Sequence, residues 1–307
     1  MALMTALLLF LSCTLAADDE DVFIDNLFKV HNGATDGSCG GRADVLDDWL
    51  GETIDSLDIA LKAMGNYDDN WRVRRSLSTI FTLKNRRLRT PKDQAFKDVK
   101  GYLEAVRDFF NRRLDDSGQQ MYVKDGYWLF CDSKFLSEQQ PTDTALDYLG
   151  VPIKDDKEQP VLINSVDEYK IQLTKDANAK PWWAGISTDL NAYFFTQHGA
   201  DFCDVEGHLG VTASVTPYKK GSSGRAEAAP FVYSTTLCPS SFEGTVIDGT
   251  VRYETYKEAN ARITPEANLA NFVPRSATLL HEAFHFVHGS VFKVPGDPKD
   301  KKAEKCK

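Results

Sequence analysis

Beyond residue 17 the chain has no apolar run long enough to cross a bilayer, which takes about 20 residues as a helix. A membrane is therefore not an expected partner. Positive charge is also in short supply: 36 Lys and Arg stand against 45 Asp and Glu, a formal net charge of −9. Nucleic acid is bound through clustered cations, so it is not an expected partner either. No Asn-x-Ser/Thr occurs, and N-glycosylation is not expected. There is no internal repeat and no linker-like low-complexity stretch. The six cysteines show no Cys-x-x-Cys spacing, which argues against a cysteine-ligated metal. Histidine is scarce, with six in 307 residues.

Three of those six histidines are His281, His285 and His288. The stretch Thr278-Leu279-Leu280-His281-Glu282-Ala283-Phe284-His285 contains His281-Glu282-x-x-His285, the zinc-peptidase pattern. On a helix, residues four apart share a face, so both imidazoles can reach one Zn²⁺ ion. Glu282 beside the first ligand can act as a general base toward water. Pro274 bars a helix continuing from upstream, Ser276 is a candidate N-cap and Gly289 a candidate C-cap. His288 is a weaker ligand candidate, because a straight helix presents three ligands to a tetrahedral ion poorly. His31, His198 and His208 read as surface or loop residues.

Residues 1–17 carry no charge and hold Leu7-Leu8-Leu9-Phe10-Leu11 ahead of small residues, which is expected to be a secretory signal peptide. The mature protein is then expected to be secreted, extracellular and folded under oxidising conditions. Residues 18–307 read as a single domain. An amphipathic helix is expected over 44–64, with Leu46, Trp49, Leu57 and Met64 among its apolar positions, and further helices over 72–83 and 95–113. Residues 122–131 read as a hairpin arm or strand, 133–158 as a loop with one short helix, and 161–163 as a buried strand. The alternation of Val211 to Thr216 marks a half-buried strand, 219–229 a Gly/Ser-rich loop, and 231–237 and 244–253 two more strands. Helices, then strands, then the metal helix make the fold class α+β. The dibasic pairs Arg74-Arg75, Arg86-Arg87 and Arg112-Arg113 could be processing sites, but read better as solvated helix faces.

Two further stretches, Gly37-Ser38-Cys39-Gly40 and Val232-Tyr233-Ser234-Thr235-Thr236-Leu237-Cys238-Pro239, join the His281-Glu282-x-x-His285 helix in a recognisable order. Together they resemble the deuterolysin and peptidyl-lysine metalloendopeptidase group, the aspzincins of fungi, over most of residues 28–290. The resemblance implies a zincin-like fold with active-site helices on a small sheet. It implies an insertion around 140–230. It also implies a third, aspartate ligand in a Gly-Thr-x-x-Asp-x-x-Tyr-Gly context. The nearest match is Gly296-Asp297-Pro298-Lys299-Asp300, which makes Asp297 the expected ligand and leaves Asp300 where the family has a tyrosine. Either the chain is truncated at its C-terminus or the third ligand comes from elsewhere, with Asp300 and His288 the alternatives. Family order pairs Cys39 with Cys131 and Cys203 with Cys238, leaving Cys306 over.

The expected activity is that of a secreted, monomeric zinc metalloendopeptidase acting on polypeptides, with Glu282 as general base and His281, His285 and Asp297 as ligands. The alternative is a degenerate zincin-fold protein that binds zinc or a partner without turnover.

Overall fold

A computed structural model describes residues 22–84, 93–111, 126–185, 188, 190–215, 217–220, 226–228, 232–244, 246–247, 249–264, 266–268, 271–288, 291–292 and 304–305. The signal peptide, Asp297, Asp300, Gly289 and Cys306 lie outside these residues, as do Arg86-Arg87 and Arg112-Arg113.

The chain opens with a short helix α1 (Ile24–Leu27) and strand β1 (Lys29–Val30). Three helices follow: α2 (Ala43–Gly65), α3 (Trp71–Ile80) and α4 (Gln94–Phe110). The first matches its sequence expectation to within a residue at each end. It buries Leu46, Trp49, Leu50, Thr53, Leu57 and Met64, the i, i+3, i+4, i+7 stripe of a helix that packs on one side. Asn70 caps α3 by accepting from the backbone N–H groups of Arg72 and Val73. That helix ends before the expected residue 83, and Thr82 follows in the left-handed region at φ 53°. Arg74 of the dibasic pair donates to the carbonyls of Tyr67 and Asp68, so it serves the turn into α3.

Strand β2 (Tyr127–Phe130) lies parallel to β1 on one side. A second small sheet is built from β3 (Ser137–Glu138), β4 (Lys180–Trp183) and β5 (Tyr193–Thr196), antiparallel throughout. Between β3 and β4 runs α5 (Asp167–Lys175). The expected strand over 161–163 is replaced by an isolated bridge between Thr144 and Leu162 and a 3₁₀ turn, Ile163–Ser165. Ile163 is buried all the same, so the apolar run reported burial and not strand type. No helix forms in the described residues 133–158.

Strand β6 (Gly210–Val215) sits where the alternation predicts. The Gly/Ser-rich stretch contributes the arms of a hairpin, β7 (Tyr218–Lys220) and β8 (Ala226–Ala228). Next comes β9 (Val232–Leu237), parallel to β2 and antiparallel to β6. The single strand expected over 244–253 is instead a hairpin, β10 (Val246–Ile247) and β11 (Thr250–Tyr253). Gly249, between these two strands, has φ 74°, a conformation that favours glycine. Helix α6 (Tyr256–Arg262) and strand β12 (Phe272–Pro274), parallel to β11, lead into α7 (Ala277–His288).

The architecture is α+β. The principal sheet has the order β1-β2-β9-β6. Strand β2 is apolar at every position because both its faces are covered. Leu129 joins the core under α1, α2, α4 and α7, whereas Trp128 and Phe130 join a second cluster with Trp182, Phe194 and Val215. A third cluster, including Ala145, Ile163, Tyr169, Trp183 and Tyr218, lies within the segment expected as an insertion. Two disulfides form, Cys39–Cys131 and Cys203–Cys238, the pairs that family order implied. No helix among the described residues is long and apolar enough to cross a membrane.

Candidate metal centre

Helix α7 is amphipathic in an unusual sense: its core face is apolar and its other face carries imidazoles. Leu279, Ala283 and Phe286 are buried in the main core, and Phe286 packs edge-on against Phe28 with ring centroids 5.4 Å apart. That burial fixes the rotation of the helix, and rotation decides what the remaining residues face. His281 is exposed and His285 half-buried. Their Nε2 atoms stand 3.1 Å apart, with ring centroids separated by 4.8 Å.

The expected spacing of two metal-bound imidazoles is a fair test of that geometry. Two nitrogens each roughly 2.0–2.1 Å from one tetrahedral ion lie about 3.3 Å apart. The observed pair fits. Both histidines are held below the usual imidazole pKa, His281 by desolvation and His285 by desolvation together with the neighbouring His281. Both are then neutral at neutral pH, the form that binds a metal.

Glu282 lies on the inner side of α7 and is only 3% exposed. Burial pushes its carboxyl up to about 7, an effect tempered by a hydrogen bond from the Thr212 hydroxyl. Its Oε2 is buried and has no hydrogen-bond partner. A buried carboxyl oxygen left unpaired is costly, and such groups concentrate where chemistry is done.

The N-terminus of α7 is anchored by Glu52 and Arg252, which no local pattern in the sequence singles out. Ser276 stands at the N-cap position, but its hydroxyl donates to Glu52 of α2 instead of capping the helix. Glu52 also accepts from the backbone N–H of Tyr256. A carboxylate beside the first turn is favoured by the helix dipole. Arg252 of β11, itself buried, donates to the carbonyl of Arg275 and, at 2.7 Å, to Thr278 Oγ1. At the other end, His288 Nε2 donates to the Tyr102 carbonyl of α4 at 3.0 Å, and its ring meets Tyr102 edge-on. His288 thus bonds to a neighbouring helix.

Among the described residues, no group of three or more His, Cys, Asp or Glu forms a metal cage. The structure brings His281, Glu282 and His285 together; Asp297 lies outside the described residues. Of the other histidines, His31 bonds Thr35 and His208 bonds the Phe202 carbonyl.

Strand β6 lies beside α7 at the edge of the principal sheet. Its consecutive residues Val211 to Val215 line a cleft of about 540 Å³, whose far wall includes Glu168, Tyr169 and Gln172 of α5. His281, Glu282 and His285 do not line this cleft; Thr212, which does, is the link between it and Glu282. Comparison with family models, with curated proteins and with solved structures finds no match to this chain.

Proposed function

We propose that this chain is a secreted zinc metalloendopeptidase with a zincin-like fold, of the deuterolysin and peptidyl-lysine metalloendopeptidase kind that its motifs resemble. One observation carries the reading. His281 and His285 turn their Nε2 atoms to 3.1 Å of each other on one helix, with the buried Glu282 next to the first of them. Two neutral imidazoles at that spacing suit Zn²⁺, and Asp297 is proposed as the third ligand. The two disulfides are compatible with secretion.

A zinc ion held there would polarise the scissile carbonyl and make water more acidic. The work of the chain's own residues is proton transfer and positioning. Glu282 takes a proton from water as its oxygen adds to the peptide carbonyl carbon, then gives that proton to the amine nitrogen as the C–N bond breaks. A carboxyl group can do both in turn, as base and then as acid. The substrate proposed is an extended polypeptide: β6 is an edge strand beside α7, and an edge strand can accept one more strand through backbone hydrogen bonds.

The test joins metal content to turnover. The purified protein should hold about one zinc per chain and cleave an unfolded protein in a chelator-sensitive manner. Replacing both His281 and His285 by alanine should remove the metal. Glu282→Gln should keep it while lowering turnover by at least about a hundredfold. Cleavage indifferent to both chelator and Glu282→Gln would overturn the reading. Zinc retained with no cleavage by the unaltered protein would favour a binding protein of the same fold.

A further inference from the structure

The two faces of strand β6 look onto different surroundings, one onto α7 and the other onto the cleft. Successive side chains of a strand point to opposite faces. Thr212 meets the Glu282 carbonyl, and Leu237 lies in the core under α7, so Thr212 and its partner Thr235 mark the α7 face. Ala213 pairs with Ser234 and Val211 with Thr236, and these four mark the opposite face. From β9 the cleft is lined by Ser234 and Thr236; from β6 it is lined by every residue from Val211 to Val215. It therefore covers the face away from α7 and turns round the outer edge of β6. Among the described residues, main-chain hydrogen bonds of residues 211–215 run to β9 alone. The outer edge offers a row of unpaired N–H and C=O groups.

An extended chain added to that edge would lie about 4.8 Å from β6 and send alternate side chains to the two faces. One set faces the side of α7. The other set enters the cleft beside Val211, Ala213 and Val215. The far wall there is aromatic. Tyr169 and Tyr218 are each 3% exposed, with ring centroids 4.9 Å apart, and Phe195 lies 5.1 Å from Tyr169. A cleft of about 540 Å³ has room for a large side chain. Glu168 and Lys175 at its mouth are both exposed and opposite in charge, so the site selects neither sign. On the floor Ser234 is 1% exposed, and its Oγ has no hydrogen-bond partner. A buried hydroxyl left unpaired costs free energy that a ligand's polar atom can recover. Ala213, between the edge and Ser234, places only a methyl group on that route.

We infer that this cleft is the specificity pocket of the proposed peptidase and that it takes a large aromatic side chain of the substrate. Tyrosine and tryptophan are preferred to phenylalanine, because their polar hydrogens can bond Ser234 Oγ. The inference rests on the hydrolytic reading above and names the polypeptides that it acts on.

The experiment digests an unfolded protein and sequences the products. Cleavage sites should stand at one fixed distance from Tyr or Trp. Peptides carrying Tyr, Phe or Ala at that position are then compared. The tyrosine peptide should exceed the alanine peptide in kcat/KM by at least about tenfold. Ala213→Leu, which fills the route, should bring that ratio close to one. Ser234→Ala should cut the preference for tyrosine over phenylalanine roughly 3- to 10-fold, and, as it only removes an atom, it serves even where Ala213→Leu does not fold. Equal rates for the three peptides, or a ranking that neither variant changes, would overturn the inference. If the unaltered protein shows no chelator-sensitive cleavage, the hydrolytic reading fails by itself. The pocket is then decided by calorimetry of a tyrosine-containing and an alanine-containing peptide on chelator-treated protein. Tighter binding of the tyrosine peptide, lost in Ala213→Leu or weakened in Ser234→Ala, supports the pocket; equal binding of the two refutes it.

Discussion

A carboxyl group as dry as that of Glu282 prefers its proton, and this gives it a signature in the metal-free protein. Burial raises its pKa from 4.5 to about 7, so the folded chain binds the proton more tightly than the unfolded chain does. The resulting stabilisation is complete below pH 4.5 and is lost as pH rises to about 7. His281 and His285 act with the opposite sign, since their lowered values make the unfolded chain the better proton binder. Glu282→Gln removes the first effect and leaves the second. Urea unfolding of chelator-treated protein should therefore show the unaltered chain losing about 3 kcal/mol relative to Glu282→Gln between pH 4.5 and 7.5. A difference that stays flat across that range would mean that Glu282 titrates as an ordinary carboxylate. The histidine spacing and the glutamate are legible in the sequence because a helix repeats at fixed intervals. Thr212, Gly210, Glu52 and Arg252 are not, because each meets α7 from a distant part of the chain and none sits in a pattern of its own.

At the scale of elements, Phe286 is the largest apolar side chain that α7 buries in the main core. Its ring is 1% exposed and lies among Phe28, Phe109 and Tyr127. Phe286→Ala should lower stability by about 3–5 kcal/mol, read as a lower urea midpoint at unchanged m. A loss under about 1 kcal/mol would show that the helix is anchored elsewhere. Elements with a strong period were readable: the stripe of α2 and the alternation of β6 gave type and extent together. The pair β4 and β5 was not, since Trp182-Trp183 and Tyr193-Phe194-Phe195 are unbroken apolar runs that carry no period. The β10–β11 hairpin went unread because its Asp-Gly turn signal lay inside a run that otherwise reads as one strand.

In the whole molecule, the N-terminal third is structural. Ile24, Leu27 and Phe28 share one core with α7, and Cys39 is tied to Cys131 across 92 residues of sequence. A bridge closing so long a loop is expected to contribute about 2–5 kcal/mol. Replacing both cysteines by alanine should lower the thermal midpoint accordingly. Non-reducing peptide mapping should recover Cys39 with Cys131 and Cys203 with Cys238, and any other partner for these four would refute the connectivity. The sequence by itself determined the α+β class, the helix that bears His281, Glu282 and His285, and its amphipathic neighbours. These follow from short-range periods, and in a helix a period of four is also a distance in space. Tertiary structure alone decided that Glu282 is buried and that β6 with its Thr212 hydroxyl lies against it. It also decided that His288 is bonded to α4. Those outcomes depend on which faces pack together once the main core closes, and no local interval in the chain encodes that.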